Sequence, residues 1–391
     1  MTRLADQAVA PPLLDLDPLL DTAQVLVCCG SGGVGKTTTA AALALRAAER
    51  GRRTVVLTID PAKRLAQSLG LVELDNTPRP VQGIDTTAGG SLDAMMLDMK
   101  RTFDEVVLAH TTPDKAEQIF ANPFYQALSS SFAGTQEYMA MEKLGQLKAS
   151  DDYDLIVVDT PPTRSALDFL DAPQHLTTFL DGRLLKILLA PAKASGKAYF
   201  KVVGAGFMLF TRTVTKVIGA QALADLSTFV AALETMFGGF AERAEGTYRM
   251  LGQPGTEFVV VASPEPDAIR EASFFVDRLT TEGMPLAGLV VNRVQHSSAA
   301  ELSVERSLAG AQVLRARSQE VPVDGGDPAL AAAVLSVHAD RLAQAQRQRR
   351  IRDRFVVAHP EVGLVEVPAL PGDVHDLAGL REVGGYLAGA A

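Results

Sequence analysis

The stretch VLVCCGSGGVGKTT, residues 25–38, decides the fold of this chain. Val25–Cys29 is an apolar run typical of a buried strand, and an Ala-rich stretch of helical character, Thr37–Arg50, follows it. Gly30–Thr38 has the spacing of a phosphate-binding loop: Gly, four residues, Gly, Lys and Ser/Thr. Glycines let successive backbone N–H groups curl around phosphate oxygens, and the next helix adds the positive end of its dipole. The stretch therefore predicts a strand, a phosphate-binding loop and a helix, in that order.

Every residue of this loop is assigned to the nucleotide site. Lys36 is predicted to reach the β- and γ-phosphates and to serve catalysis, while Thr37 places its hydroxyl on Mg²⁺. A Gly-rich turn without a ligand is the alternative, and the strand before and helix after the loop argue against it. The predicted nucleotide-binding residues of the loop are Gly30, Ser31, Gly32, Gly33, Val34, Gly35, Lys36, Thr37 and Thr38.

Two acidic residues close other apolar runs. Asp159 ends the run LIVVD and opens the stretch TPPT, residues 160–163, a loop that can sense a γ-phosphate; Asp159 is expected to hold Mg²⁺ through water. Asp60 follows the run Thr54–Ile59 at the strand edge where ligands bind in open α/β sheets, so it is a catalytic candidate for orienting the attacking water. The alternatives are a charge that merely ends a strand for Asp159 and a helix N-cap for Asp60.

Asn292 is the candidate residue for binding the base of the nucleotide. The chain has no Asn-Lys-x-Asp signature for guanine, which favours ATP over GTP. Asn292 ends the apolar run Leu289–Asn292, and its carboxamide offers both a donor and an acceptor to an adenine edge. An asparagine that ends a strand without any ligand is the alternative.

Hydrophobic patterning predicts an α/β fold with a mostly parallel P-loop NTPase sheet flanked by helices. Short apolar runs are near-continuous rather than alternating, as in strands covered on both faces, and helical stretches separate them. Residues 174–250 contain apolar positions at helical spacing and are interpreted as a helical insert, between a first core part at 1–173 and a second at 251–391. The predicted strands are Val25–Cys29, Thr54–Ile59, Leu155–Asp159, Phe258–Ala262, Leu286–Asn292 and Gly363–Val367.

Composition limits the classes of partner. The chain has 391 residues and a formal net charge of −9, so it lacks the basic field that holds nucleic acid or an anionic membrane. No apolar run approaches the ~20 residues of a membrane helix, and the acidic, Pro-interrupted start does not resemble a signal peptide. The two cysteines, Cys28 and Cys29, are adjacent and are interpreted as buried thiols. A cytoplasmic protein is expected.

Several ordered motifs together resemble one family: the arsenite-pump and tail-anchored-protein-targeting ATPases, within the deviant-Walker class that includes nitrogenase iron protein and the Min and Par ATPases. The resemblance covers most of the chain outside the insert and the first twenty residues. The matching segments are Gly30–Thr38, Asp60-Pro61-Ala62 as switch I, Asp159–Leu170 as switch II, Pro264-Glu265 with Glu271, Asn292, and Pro368–Val374.

The resemblance implies an ATP-dependent dimer with two nucleotides near the subunit interface. By that likeness Asp60 positions the hydrolytic water and Asn292 reads adenine. The loop Pro368–Val374 would lie over the base, which assigns Pro371, Gly372 and Asp373 to the nucleotide site. The insert would correspond to the helical region that handles the client.

The departures from the family pattern are specific. Ser31 stands where the family usually carries a lysine that reaches the partner's phosphates, so the chain either pairs with a related lysine-bearing subunit or hydrolyses ATP slowly. Arg164 and Ser165 replace Gly and His; Arg164 is either a substitute charge near the γ-phosphate or a surface arginine. No Cys-x-x-Cys and no scattered cysteines exist to bind zinc, an iron–sulfur cluster or arsenite, and no fused second half is present.

Three functions remain open. The leading one is an ATP-driven dimeric switch whose insert binds a hydrophobic client; the second is an ATP-binding regulatory subunit of a hetero-oligomer; the third is the motor subunit of a membrane anion pump. Apolar residues of the insert would line a client groove, or else form the insert's own core or a dimer contact. These residues are Phe200, Phe207, Met208, Leu209 and Phe210.

Overall fold

The architecture is taken from a computed structural model of the chain. It describes residues 12–60, 64–123, 125–126, 129, 135–161, 242–297, 299, 301–320 and 327–389. The predicted insert at 174–250 lies outside the described residues except for 242–250, so its groove residues and the division of the chain into three parts stay predictions. Pro61, Ala62, Arg164 and Ser165 also lie outside the described residues.

A sheet of eight strands forms the centre of the protein. Its strands are β1 Val25–Cys29, β2 Arg53–Thr58, β3 Arg79–Pro80, β4 Ser91–Met96, β5 Leu155–Asp159, β6 Thr256–Ala262, β7 Leu286–Val294 and β8 Leu364–Pro368. Their order is β3-β4-β2-β5-β1-β6-β7-β8, and every neighbouring pair is parallel except β3 with β4. The carboxyl ends of the parallel strands therefore meet at one edge.

Helices connect and cover the strands. They are α1 Asp17–Thr22, α2 Lys36–Glu49, α3 Arg64–Ser68, α4 Met99–His110, α5 Pro113–Phe120, α6 Thr135–Ser150, α7 at residues 242–251, α8 Pro266–Thr281, α9 Val304–Glu320, α10 Pro328–Ala358 and α11 Leu377–Leu387. Among the described residues, none of these helices is both long and apolar enough to cross a membrane.

The α/β fold predicted from the sequence is confirmed. All six apolar runs form strands; β1 and β5 have the predicted bounds and β2 begins and ends one residue earlier. Every residue of β1 and β5 is buried, which explains the unbroken apolar runs. The strands β3 and β4 were not predicted.

The helix α2 packs closely on the centre of the sheet because its inward positions are small. Its buried residues include six alanines, at 40, 41, 42, 44, 47 and 48. Alanine favours helix formation and loses no side-chain entropy, so this segment forms a helix readily, and Leu43 and Leu45 are its larger buried side chains. The helix begins directly after the phosphate loop, with Gly35 as its N-cap.

The start of the described chain covers one edge of the sheet. The backbone N–H of Leu14 donates to Leu364 O (3.0 Å), and that of Leu364 donates to Pro12 O (2.8 Å). Two carboxylates of α1 form ion pairs at the end of α2: Asp17 with Arg46 and with the C-cap residue Arg50, and Asp21 with Arg50. An otherwise open edge of β8 is thereby paired.

Arg52 ties together three segments at the amino edge of the sheet. Its guanidinium donates to the backbone carbonyls of Leu20, Ala23 and Asp154, at 2.6, 2.5 and 2.5 Å. Burial lowers the pKa of Arg52, with the charge of Asp154 acting in the opposite direction. Its neighbour Arg53 instead forms an ion pair with the Asp154 carboxylate (2.7 Å), and half of the Arg53 side chain is exposed.

Two variants compare the stability that the Arg52 clamp contributes, its three hydrogen bonds to backbone carbonyls, with that of the Arg53 ion pair at the surface. Arg52→Ala is expected to lower the free energy of unfolding by about 2–4 kcal/mol, because three carbonyls lose a charged donor. Arg53→Ala, the matched control, should cost much less than Arg52→Ala, because a solvated ion pair contributes little to stability. Urea denaturation of both variants checks this, and equal losses would contradict the clamp.

Candidate functional site

Residues from several strands meet at the carboxyl edge of the sheet. The phosphate loop follows β1, Asp159 ends β5, Asp60 follows β2, and Asn292 lies near the end of β7. In the register of the sheet, Asp159 is paired with Cys28 on one side and Thr58 on the other. Parallel pairing alone thus brings residues distant in sequence to one place, the edge where ligands bind in open α/β folds.

Glycines of the phosphate loop are required by their surroundings. Gly30 has φ 149°, and a Cβ there would lie 2.1 Å from the carbonyl oxygen of Val261. Gly35 has φ 100°, and its Cβ would lie 2.1 Å from Nδ2 of Asn292. Gly33 has φ 77° with open space around it, so its backbone conformation alone favours glycine. Gly30 therefore lies against β6 and Gly35 against β7, and neither end of the loop has room for a side chain.

Lys36 is buried at the start of α2. Its ammonium donates to the carbonyl oxygen of Ser31 (2.9 Å), so the side chain folds back across the loop. Burial lowers the pKa of Lys36, and the charges of Asp159 and Asp60 oppose that shift. The positive charge of Lys36 therefore lies against the backbone of the phosphate loop.

The Asp159 carboxylate lies between two threonines. Its Oδ2 accepts hydrogen bonds from the hydroxyls of Thr37 (2.8 Å) and Thr58 (2.9 Å). Its Oδ1 is buried and accepts no hydrogen bond from the described residues. Burial raises the pKa of Asp159 to about 6, although both threonine hydrogen bonds and the Lys36 charge favour the ionised form. One oxygen of this buried carboxylate therefore binds two threonines, of which Thr37 belongs to the phosphate loop, and the other oxygen has no donor among the described residues.

Thr160, the residue after Asp159, is hydrogen-bonded to β1. The Thr160 hydroxyl donates to the carbonyl oxygen of Cys28 (2.8 Å). Cys28 and Cys29 are free and buried, and burial raises the pKa of both thiols, that of Cys29 to about 12. They are inert packing residues of β1, as the sequence predicted.

Asp60 is held beside the acidic centre by its backbone. Its N–H donates to the hydroxyl of Thr58 (3.2 Å), the same hydroxyl that donates to Asp159. The negative charge of Asp60 opposes the lowering of the Lys36 pKa and adds to the raising of the Asp159 pKa. The helix start that would test an N-cap role falls on residues outside the described chain, so both interpretations of Asp60 remain.

Asn292 contacts the phosphate loop directly. Its Nδ2 donates to the carbonyl oxygen of Val34 (2.8 Å), and its Oδ1 accepts from the backbone N–H of Arg293 (2.9 Å). The guanidinium of Arg293 donates to the carbonyl oxygen of Gly33 (3.0 Å). Both side chains thus lie on the loop itself, whereas the sequence predicted only a base contact for Asn292.

The loop Pro368–Val374 follows β8, next to β7 in the sheet. The N–H of Ala369 donates to the carbonyl oxygen of Val294 (2.9 Å), which anchors the loop beside the end of β7. Pro371, Gly372 and Asp373 are exposed. Their assignment to the nucleotide site stays a prediction.

Two site residues were not predicted. Thr58 ends β2 and reaches Asp159 because the two strands are paired in register; Arg293 reaches the loop because β7 is irregular there. The available signal for Thr58 was a polar residue one position before the end of the apolar run Thr54–Ile59. No local pattern marks Arg293.

Comparison with known proteins places the chain among ATPases. Residues 23–314 match the family model described as anion-transporting ATPase. A putative arsenical pump-driving ATPase of Halobacterium salinarum is 34% identical over 203 residues, which are 48% of this chain and 29% of that protein. ATPase GET3 of Malassezia globosa is 25% identical over 297 residues, 75% of this chain and 79% of that protein. ATPase GET3C of Arabidopsis thaliana is 27% identical over 278 residues, 68% of this chain and 65% of that protein.

The chain spans less than two thirds of the first and third of these relatives. The family match covers more than half of the chain and contains the phosphate loop, Asp60, Asp159 and Asn292, whereas the loop Pro368–Val374 lies beyond it. Of these matched residues, the structure brings the phosphate loop, Asp159 and Asn292 into contact. The chain belongs to the anion-transporting ATPase family.

Proposed function

We propose that this chain binds ATP with Mg²⁺, hydrolyses the ATP, and acts as a dimeric switch that couples its nucleotide state to a client or partner through residues 174–250. The observation that carries the nucleotide part is the Asp159 cluster beside the phosphate loop. A buried carboxylate with an unused oxygen, held by two threonines, is costly unless it has a ligand to bind. Family membership supports the ATPase activity.

The residues present fit Mg²⁺. This ion takes oxygen ligands, is held by one or two carboxylates together with substrate phosphates, and keeps several waters. Thr37 supplies a hydroxyl and Asp159 a carboxylate, and no group of three or more His, Cys, Asp or Glu in the described part of the chain offers an all-protein cage instead. Held by Thr37 and Asp159, the ion would neutralise the negative charge that develops on the phosphates.

The chain's own residues supply the rest of the chemistry. Backbone N–H groups of the loop and the α2 N-terminus bind the phosphate oxygens. Lys36 exchanges its bond to the Ser31 carbonyl for a γ-phosphate oxygen, and its buried ammonium acts in a medium of low dielectric. Asp60 orients the attacking water and accepts its proton. These roles account for the acidic and basic groups that face the loop.

A second function rests on Ser31. Its short side chain cannot reach across a dimer interface, and its carbonyl oxygen is bonded to Lys36 of the same chain. In this alternative the chain is an ATP-binding regulatory subunit, and a related subunit supplies the missing lysine.

The name of one relative suggests a third role, the motor subunit of an anion pump. Both cysteines of the chain are buried in β1, so this role would not include binding of arsenite by thiols.

Asp159→Asn tests the energetic cost of the acidic centre. An acid with a raised pKa is protonated in the folded chain while it is ionised in the unfolded chain, so stability falls as pH rises from about 4 to about 6. Asparagine removes this cost. The nucleotide-free variant is expected to exceed the native chain in free energy of unfolding by about 1.5 kcal/mol at pH 5 and about 2–3 kcal/mol above pH 7.

The same variant should lose the stabilisation that Mg²⁺ adds to nucleotide binding. Denaturation at pH 5 and pH 8, with and without Mg-ATP, checks both statements. A variant less stable than the native chain at pH 8, or one still stabilised by Mg²⁺, would contradict the proposed role of Asp159.

Asp60→Asn separates catalysis from binding. Asparagine still forms hydrogen bonds but accepts no proton, so turnover should fall by about 10²-fold or more while Mg-ATP affinity changes by less than about threefold. Phosphate release and calorimetry measure the two quantities. Asp114→Asn, an exposed carboxylate in the first turn of α5, is the control and should change neither. Equal turnover in both variants would leave only the N-cap role for Asp60.

Ser31→Lys tests self-sufficiency. If the missing lysine limits hydrolysis, this substitution should raise the ATPase rate by about tenfold or more, with a dependence on protein concentration that reports dimer formation. Ser31→Ala, the control, should leave the rate unchanged because the Lys36 bond uses the Ser31 backbone. No gain in the lysine variant would overturn the idea that Ser31 limits the rate.

A further inference from the structure

β7 is irregular where it passes the phosphate loop. Asn292 pairs with Val367 and Val294 pairs with Pro368 of β8, and the register shifts at Arg293 between them. Arg293 has φ 62°, one of two non-glycine residues with positive φ among the described residues. A bulge of this kind costs conformational energy and is typical of positions beside functional sites, where it re-aims side chains.

The bulge directs two consecutive side chains to the same target. In a regular strand, Asn292 and Arg293 would point to opposite faces of the sheet. Here Asn292 Nδ2 lies 2.8 Å from the Val34 carbonyl oxygen, and Arg293 Nη1 lies 3.0 Å from that of Gly33. The two carbonyls are consecutive in the loop, so the pair of donors grips one short segment.

Peptide geometry transmits this grip to the phosphate-binding face. The C=O of one residue and the N–H of the next belong to one planar trans unit and point in opposite directions. A donor fixed on the Gly33 oxygen therefore sets the direction of the Val34 N–H, and one fixed on the Val34 oxygen sets that of the Gly35 N–H. These are the N–H groups that a phosphate-binding loop presents to its ligand.

Local packing holds the donors in place. The Oδ1 of Asn292 accepts the N–H of Arg293, which fixes the orientation of the carboxamide and leaves Nδ2 facing the loop. Gly35 leaves room for Nδ2, since a Cβ there would lie 2.1 Å from it. The strand and the loop are thus mutually adapted.

We propose that Asn292 and Arg293 are positioning residues for the phosphate loop, which hold the N–H groups of Val34 and Gly35 toward the phosphates before nucleotide binds. The identity of the ligand rests on the proposed function, whereas the ordering of the loop does not. This role is separate from an adenine contact by Asn292, and it gives Arg293 a function through the loop rather than on the ligand.

The test compares Arg293→Asn with the native chain, with Arg293→Lys and with the control Arg350→Ala. Asparagine tolerates positive φ, so the bulge is retained while the guanidinium is lost. Arg350 is an exposed arginine of α10 far along the chain from the loop. The first readout is the ¹⁵N order parameters of the Val34 and Gly35 amides without ligand. The second is calorimetric binding of inorganic tripolyphosphate and, separately, of adenosine.

Arg293→Asn should lower the order parameter of the Val34 amide from the rigid range of about 0.85 to below about 0.6, while that of the Gly35 amide, whose peptide Asn292 still holds, stays near the native value. It should weaken tripolyphosphate binding about fivefold, as expected for one exposed hydrogen bond, and leave adenosine binding unchanged. Arg293→Lys should restore both readouts in part, and Arg350→Ala should match the native chain.

An unchanged Val34 order parameter in Arg293→Asn overturns the proposal whatever the protein binds. Equal weakening of adenosine and tripolyphosphate also overturns it, since the guanidinium would then contact the base or sugar. Recovery of tripolyphosphate binding in Arg293→Lys without recovery of order would mean a direct charge contact and overturn it too. If the native chain binds no tripolyphosphate but the variant loses order, the positioning role stands and the proposed function fails.

Discussion

The buried carboxylate of Asp159 is the constraint around which the rest of the site is arranged. It joins β5 to α2 through Thr37 and to β2 through Thr58, so one oxygen atom receives donors from two further elements of the fold. Its second oxygen is buried without a donor from the described residues, and burial raises its pKa to about 6. A protein selected for stability alone would place an apolar residue here. The burial of this carboxylate is the observation on which its proposed role in binding a ligand rests.

Strand pairing and the packing of α2 bring the groups around Asp159 together. Parallel pairing places Asp159 between Cys28 and Thr58, so the centre of the sheet delivers the acidic group and one of its threonines without any loop. The small residues of α2 bring that helix, and Thr37 at its start, close to the same strands. Lys36 is buried beside them with its ammonium on the Ser31 carbonyl. The side chains of Thr37, Lys36 and Asp159 thus each have a hydrogen-bond partner at the loop in the structure.

Local chemistry and tertiary order differ in how far they can be predicted. The strand, loop and helix of residues 25–50 are predictable because glycine spacing and apolar runs encode them locally. In contrast, β4 has the sequence SLDAMM, without a continuous branched run, and β3 is two residues that pair antiparallel at the sheet edge. Thr58 and Arg293 acquire their contacts only from strand order and a bulge. Sequence periodicity contains neither, so these contacts required the three-dimensional structure.

The bulge at Arg293 connects the two halves of the site. β7 carries Asn292, which the family resemblance assigns to the base, yet its amide nitrogen is bonded to Val34 in the phosphate loop. A ligand that competes for this amide would release the Val34 carbonyl, leaving Arg293 as the remaining donor on that segment. Arg293 would then still fix the peptide between Gly33 and Val34, while the peptide between Val34 and Gly35 follows the ligand. This separate hold on the first peptide explains why a strained, non-glycine residue is tolerated at the end of a buried strand.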